Sequence, residues 1–339
     1  MALRPLGALE PIYRWAVARR NAGFDRGERV WHAPVPVLSV GNITLGGTGK
    51  TPVVTRLARE LLARHSRPVI AMRGYKKQGD ELSDEEAEYR DSLEGVTVLA
   101  HPDRASAIAG FLDAGGKADC VLLDDAFQHR FVARDLDIVL VDATRDPFSD
   151  RCLPGGWLRE PVESLARAGA IVVTRVDRVD ARTLDRLVER LRGVANPSAL
   201  LATCVHRWSH LDRRVGPNEP AQREPLNVLA RSRVLVVAGI GNPAAFRAQV
   251  AASGANIVGE QTFPDHAAYT SATVDRILNE ATRRGATSVV TTAKDWVKIR
   301  RVLRSPSADG VDWLVPRVEI EFRDGERDFL DRVFEAVVA

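Results

Sequence analysis

Two short stretches of this chain combine residue types that do chemistry. The first reads Gly41-Asn42-Ile43-Thr44-Leu45-Gly46-Gly47-Thr48-Gly49-Lys50-Thr51-Pro52. It follows the apolar, β-branched run Val35–Val40, and Val53, Val54, Leu57, Ala58, Leu61 and Leu62 continue it at helical spacing. Strand, glycine-rich loop, helix is the context of a phosphate-binding loop, in which backbone amides and a helix N-terminus gather around phosphate oxygens. Thr44, Leu45, Gly46, Gly47, Thr48 and Gly49 form the cradle on this reading. Lys50 reaches the β- and γ-phosphates, and the Thr51 hydroxyl binds Mg²⁺. Thr44 stands where the strict GxxxxGK[ST] pattern has glycine. Lys50 is one of only six lysines among 48 basic residues. A chain that defaults to arginine keeps lysine where a compact point charge is required.

The second stretch is Ala118-Asp119-Cys120-Val121-Leu122-Leu123-Asp124-Asp125, an apolar run ending in two carboxylates. A buried strand that delivers Asp124 and Asp125 to Mg²⁺ or its waters is the expected partner of such a loop. Further strands are expected at Leu136–Val141 and Ala170–Thr174. Strands alternating with helical segments give an α/β fold with a doubly wound parallel sheet, which places ligands at the carboxyl ends of the strands. Thr174-Arg175-Val176-Asp177 imitates the guanine-reading [NT]KxD pattern, but with Arg where Lys belongs. Phe127 also occupies the glycine position of the GTPase DxxG switch. An ATPase or kinase therefore fits better, and Arg175 and Asp177 read as a solvated loop.

Composition sets the bounds. With 339 residues, 45% of them apolar and 27% charged, the chain is globular and long enough for about two domains. No apolar run reaches the ~18 residues of a membrane-spanning helix. Cys120, Cys152 and Cys204 are far apart and form no CxxC pair, so neither a disulfide framework nor a zinc site is expected. A net charge of +3 is too small for a nucleic-acid stripe. It is concentrated in residues 1–30, where six arginines face Glu10, Asp25 and Glu28. There Leu9, Ile12, Tyr13, Ala16 and Val17 recur at helical spacing. Such a basic amphipathic helix either docks on an anionic membrane face or packs its stripe on the domain. Glu10, Pro11 and Arg14 interrupt the apolar core that a signal peptide would need.

Along almost its whole length the chain resembles the tetraacyldisaccharide 4′-kinase (lipid A 4′-kinase) family. The matching segments are VGN-x4-GGTGKTP at 40–52, Arg73-Gly74-Tyr75, Asp103-Arg104 and LDDAFQHR at 123–130. They continue through RDLDIVLVD at 134–142, LPGGWLREP at 153–161, GIGNP at 239–243, FPDH at 263–266 and TTAKDWVK at 291–298. Thr44 is shared with the family's loop, whereas Ala126 replaces its usual glycine. The resemblance implies a P-loop NTPase-like kinase. With ATP and Mg²⁺ it phosphorylates the 4′-hydroxyl of an acylated glucosamine disaccharide lipid, peripherally, on the cytoplasmic face of the inner membrane, an anionic surface. It also implies a catalytic aspartate from a GDEP motif. Gly79-Asp80-Glu81 matches the letters, but Asp84 matches the family's 20-residue spacing to Arg104 and is preferred. His266 is implied as its partner and Glu160 as a further carboxylate near the metal.

The expected organisation is a basic helix at 1–30, a kinase core at 31–205 and an irregular connector at 206–231. A smaller C-terminal α/β domain follows at 232–339, with strands at Arg233–Ala238 and Ser288–Thr292 and an edge strand at Glu319–Phe322. GIGNP lacks the later glycine of GxGxxG and reads as a tight turn. A monomer without nucleic-acid partners is expected. The competing classes are a regulatory P-loop ATPase or GTPase with no sugar-lipid acceptor, and a membrane adaptor.

Overall fold

The computed structural model describes residues 4–74, 83–217, 219–265, 267–304 and 310–338. The chain forms two compact units, one of Met1–His206 with Ile320–Ala339, the other of Arg207–Glu319.

The first unit opens with helix α1 (Glu10–Asp25), followed by β1 (Val37–Asn42), α2 (Lys50–Ala63) and β2 (Pro68–Met72). Next come α3 (Asp84–Ser92), β3 (Thr97–Ala100), α4 (Arg104–Asp113), β4 (Cys120–Asp124) and β5 (Leu136–Asp142). Then β6 (Ala170–Thr174), α5 (Ala181–Val194) and the start of β7 (Leu200–Arg214) complete the alternation. The strands lie in the order β3-β2-β4-β1-β5-β6-β7. Every neighbouring pair in that order is parallel. β1 is buried at all six positions and β4 at all five, as strands covered on both faces must be. Leu38, Val40, Leu122, Ile138 and the α2 face Val53, Val54, Leu57, Ala58, Leu61 share one core. Ile43, Phe127, Val139, Val173 and Leu187 belong to another.

Parallel pairing fixes where the chemistry falls. Val40 is registered against Asp124, so the loop after β1 and the aspartates ending β4 emerge side by side. Asp125 has φ +48, a left-handed turn that an L residue adopts at some cost. It leads the chain into Phe127, which passes so close to Gly41 that a Cβ there would lie 2.6 Å from the Phe127 backbone nitrogen.

The second unit holds the remainder of β7, then β8 (Gln222–Glu224), β9 (Arg233–Ala238), α6 (Pro243–Ala252) and β10 (Asn256–Thr262). It continues with α7 (Ser271–Arg283), β11 (Ser288–Thr291), α8 (Ala293–Val302) and most of β12 (Asp312–Asp324). The closing helix α9 (Glu326–Val338) belongs to the first unit, where Phe329 and Val333 enter the core with Leu38. Two expectations change. The stretch 206–231 is not irregular: it carries strand β7 to Arg214, β8 and a 3-10 turn at Leu226–Arg231. Mixed charge hides that strand, since Arg213 and Arg214 pair with Asp312 and Asp212 rather than with solvent alone. Nor is Glu319–Phe322 an edge strand, because it lies within the 13-residue β12, between β11 and β7. The Gly239 turn is structural: its N–H donates to buried Asp295 at 2.9 Å, which also accepts from Tyr269 at 3.1 Å and Thr292 at 2.7 Å.

Gly49 caps α2 with φ +89, and a Cβ there would lie 2.1 Å from Cε1 of His206. Gly49→Ala is expected to destabilise by about 3 kcal/mol, from a forbidden backbone angle and an overpacked contact. Adding His206→Ala should recover only the steric share. Urea unfolding of both variants checks this, and a single variant within ~0.5 kcal/mol of the parent would refute it.

Candidate active site

The loop after β1 is held from outside. Asn42 Nδ2 donates to the Thr44 carbonyl at 2.9 Å, and Leu45 N–H to the Trp157 carbonyl at 2.7 Å. Arg175 Nη2 donates to the Gly47 carbonyl at 2.8 Å, and Thr174 Oγ1 to the Thr48 carbonyl at 3.1 Å. In a trans peptide the N–H points opposite to the C=O. Tying the Gly47 and Thr48 carbonyls outward therefore turns the N–H groups of Thr48 and Gly49 into the loop. Gly46 (φ +101) and Gly49 (φ +89), rather than Gly47, take the backbone angles closed to other residues. With the N-terminus of α2 behind it, the loop presents amides and partial positive charge to an anion.

Lys50 and Thr51 are the first two residues of α2. Lys50 Nζ lies 3.3 Å from Asp125 Oδ1 and 3.4 Å from Asn42 Oδ1. Arg159 Nη1 is 2.9 Å from both Asp125 oxygens. Burial would raise the Asp125 pKa, but Lys50 and Arg159 outweigh it and hold the carboxyl below its usual range. Asp124 is different. It is 4% exposed, and burial pushes its pKa up to about 6 against the pull of Lys50. Its Oδ2 accepts from the Tyr89 hydroxyl at 3.0 Å, while Oδ1 is buried without a hydrogen-bond partner. Buried Thr48 Oγ1 is likewise unpartnered.

These groups fit a magnesium ion. Mg²⁺ takes one or two carboxylates, and phosphate and water oxygens complete its shell. The orphaned Asp124 Oδ1 beside the loop, with the Thr51 hydroxyl at the start of α2, supplies oxygens of that kind. Among the described residues no group of three His, Cys, Asp or Glu could hold a metal ion by itself.

The other expected residues are placed as follows. Asp84 is the first residue of α3, one position after Ser83, whose Oγ accepts from Glu86 N–H at 3.2 Å. Five residues on, Tyr89 makes the bond to Asp124, so α3 links Asp84 to the strand end. Asp80 and His266 lie outside the described residues. Glu160 is the further carboxylate that the resemblance implies. It is fully buried, and its two oxygens are taken by Arg20 at 2.8 Å and Arg167 at 2.6 Å. Two guanidiniums satisfy it in this arrangement, so it braces α1. The Arg167 guanidinium in turn stacks 4.4 Å from the centre of the Phe127 ring.

Sequence reasoning misses several contributors. Arg175 is no solvated loop residue: it adopts φ +57, pairs with Asp142 and holds the Gly47 carbonyl. Its signal is the strand end just before it, which delivers side chains to the same edge as the loop. Arg159 is visible inside LREP, but only the fold brings it to Asp125. His206 carries no signal. Burial, reinforced by Arg175, lowers its pKa to about 4, so its ring stays neutral against Gly49.

A family model described as tetraacyldisaccharide-1-P 4′-kinase matches residues 1–337. A tetraacyldisaccharide 4′-kinase of Anaeromyxobacter sp. strain Fw109-5 is 37% identical over 314 residues, covering 88% of this chain and 82% of the relative. One from Chlorobium phaeovibrioides is 35% identical over 317 residues, covering 88% and 86%. Among solved structures, LpxK from Aquifex aeolicus in complex with ATP superimposes over 100% of both chains, with a TM-score of 0.75 and 25% identity.

The neutral ring of His206 makes stability depend on acidity. Burial holds its folded pKa at about 4, below the ordinary histidine value of 6.5. Between those values the unfolded chain binds the extra proton, so stability present above pH 6.5 is lost as pH falls toward 4. The full loss is about 3 kcal/mol, at ~1.4 kcal/mol for each tenfold change in the proton equilibrium. His206→Gln should flatten the pH dependence of unfolding free energy across this window by up to one proton. Identical slopes for variant and parent would contradict the neutral, buried ring.

Proposed function

The chain belongs to the tetraacyldisaccharide 4′-kinase family; its reaction is ATP-dependent phosphorylation of the 4′-hydroxyl of a tetraacyldisaccharide 1-phosphate, and we propose how its residues perform it. The observation that carries the assignment of roles is Lys50. It is a lone lysine in an arginine-rich setting, at the first turn of α2 and 3.3 Å from Asp125. A compact cation there meets the β- and γ-phosphates of ATP, while the amides of Thr48 and Gly49 hold phosphate oxygens. Phosphoryl transfer offers a protein little covalent work, so positioning and charge neutralisation carry the catalysis. Bound Mg²⁺ would neutralise phosphate charge, held by the Thr51 hydroxyl and Asp124, with Asp125 beside it. Arg159 and Lys50 keep Asp125 ionised.

Asp84, at the start of α3, takes the proton of the sugar hydroxyl as the γ-phosphoryl group departs. His266, carried by the family's Pro-Asp-His motif, is proposed as the second catalytic group. A regulatory ATPase or GTPase without an acceptor is disfavoured by a family match that runs through residues 1–337.

The acceptor is a membrane lipid, and α1 supports docking on an anionic membrane face, proposed as the cytoplasmic face of the inner membrane. Its stripe is divided. Tyr13, Val17 and Phe24 turn inward, Tyr13 donating to the Arg159 carbonyl at 2.8 Å. Ile12, Trp15 and Ala16 are exposed, as is Leu9 just ahead of the helix, with Arg14 and Arg19 among them. An outward apolar ridge edged by arginine suits a headgroup boundary. Among the described residues no helix is long and apolar enough to cross a membrane. We further propose a monomer with no nucleic-acid partner, organised around the kinase unit.

Asp84→Asn should lower kcat by about 10²–10⁴, the usual worth of a positioned proton acceptor, with ATP affinity unchanged. The assay is transfer of labelled phosphate from ATP to tetraacyldisaccharide 1-phosphate. Asp80→Asn should do little, and a dead Asp80→Asn beside an active Asp84→Asn would move the base four residues earlier. Replacing Ile12 and Trp15 together by Asp should abolish sedimentation with anionic vesicles while soluble ATP binding persists. Binding by the parent should weaken with salt as attraction is screened beyond ~8–10 Å. Undiminished sedimentation of the double variant would assign docking to another surface.

A further inference from the structure

Tyr89 is fully buried, and its hydroxyl is spent on one partner, Oδ2 of Asp124, at 3.0 Å. We propose that Tyr89 is a positioning residue for the kinase reaction: its hydrogen bond fixes the Asp124 carboxylate so that Oδ1, the unpartnered oxygen, is the one offered to the magnesium ion of the bound nucleotide. The inference rests on the reading of Asp124 as a metal-facing carboxylate, and it goes beyond that reading by assigning which oxygen is used and what aims it.

The chemistry favours a functional bond over an incidental one. A tyrosine wholly enclosed by the core could be replaced by phenylalanine without losing apolar packing, since Leu93, Val96 and Val98 share its cluster. The hydroxyl matters only for its partner. Asp124 sits where burial opposes its charge, and a single neutral donor on Oδ2 supports the ionised form without competing for Oδ1. Lys50 compensates from a distance, because its short contact is to Asp125. The carboxylate is thus gripped at one oxygen and unpartnered at the other, as a monodentate ligand requires. Outer groups that orient a metal ligand are typically worth about 10–100-fold in metal affinity. Tyr89 also belongs to the helix that begins with Asp84. One bond therefore registers the element carrying the proposed base against the strand carrying the proposed ligand, and the nucleophile's proton acceptor and the metal share one reference point.

The test uses the full chain and Mn²⁺ as probe, with binding followed by electron paramagnetic resonance in the presence of a non-hydrolysable ATP analogue. Tyr89→Phe should weaken Mn²⁺ binding about tenfold and raise the Mg²⁺ concentration for half-maximal activity by a similar factor. Affinity for the metal-free analogue should stay within twofold, which a disrupted core would not permit. Asp124→Asn is the control for the underlying reading. If Asp124→Asn weakens Mn²⁺ binding and Tyr89→Phe leaves it within twofold, the positioning role is overturned and the metal assignment stands. If neither variant changes it, the assignment of Asp124 falls and the inference falls with it. If Tyr89→Phe weakens metal-free analogue binding as much as Mn²⁺ binding, the tyrosine is merely structural.

Discussion

Two adjacent aspartates at the end of one buried strand have opposite surroundings, and the site is arranged around that difference. Asp124 is enclosed, meets one hydroxyl and is pushed toward the neutral form by burial. Asp125, one residue later, meets Lys50 and Arg159 and is held ionised. A regular strand turns successive side chains to opposite faces, but the departure here is sharper, because Asp125 adopts φ +48. That angle survives only in a strongly determined setting. The setting is Gly41 on the neighbouring strand, where any Cβ would strike Phe127. One missing side chain on β1 therefore permits the turn after β4, and the turn separates the two carboxylates into different electrostatic roles.

The loop shows the same economy. Glycines at 46 and 49 supply its backbone angles, but angles alone do not decide which way the peptide groups face. Arg175 and Thr174 at the end of β6 do so by holding two carbonyls. The loop is built by β1 and oriented from β6, with β5 between them in the sheet. Arg175 is itself anchored by Asp142 at the end of β5. Three strand ends thus contribute to one anion cradle, consistent with the general placement of ligands at carboxyl ends of parallel strands.

What can be read from the sequence, and what cannot, follows from the range of the interactions. Strand β6 and the ends of β4 and β5 are legible because a fully buried parallel strand is a short apolar run, a local signal. The loop and helix α2 are legible because spacing and residue type act within about a dozen positions. Roles that arise from contact between remote residues are not. Arg20 and Glu160 are 140 residues apart, and Glu160 reads as a spare acid because nothing local shows two arginines converging on it. Tyr89 reads as one more helix residue because Asp124 lies 35 positions away. Strand β7 is hidden beyond residue 205 for a related reason. Its charges pair within the fold, so the composition resembles a surface segment.

The brace at Glu160 bears on how helix α1 is tied to the site. A carboxylate with no solvent exposure must be paired, and removing one partner of a buried pair is far more costly than removing a surface one. Arg20 brings α1 to that carboxylate, and Tyr13 on the same helix donates to the Arg159 carbonyl one residue before it. The Arg159 side chain is the group that, with Lys50, keeps Asp125 ionised. The backbone that α1 grips is therefore the backbone that presents Arg159 to the site. Its N–H is also bonded, to the Ile43 carbonyl at 2.7 Å, where the phosphate loop begins. Any displacement of α1 would have to stretch or break the hydrogen bonds that hold the Arg159 backbone beside the loop entry. By this route α1 and the phosphate loop are held in one register within the first unit, without a separate domain to connect them.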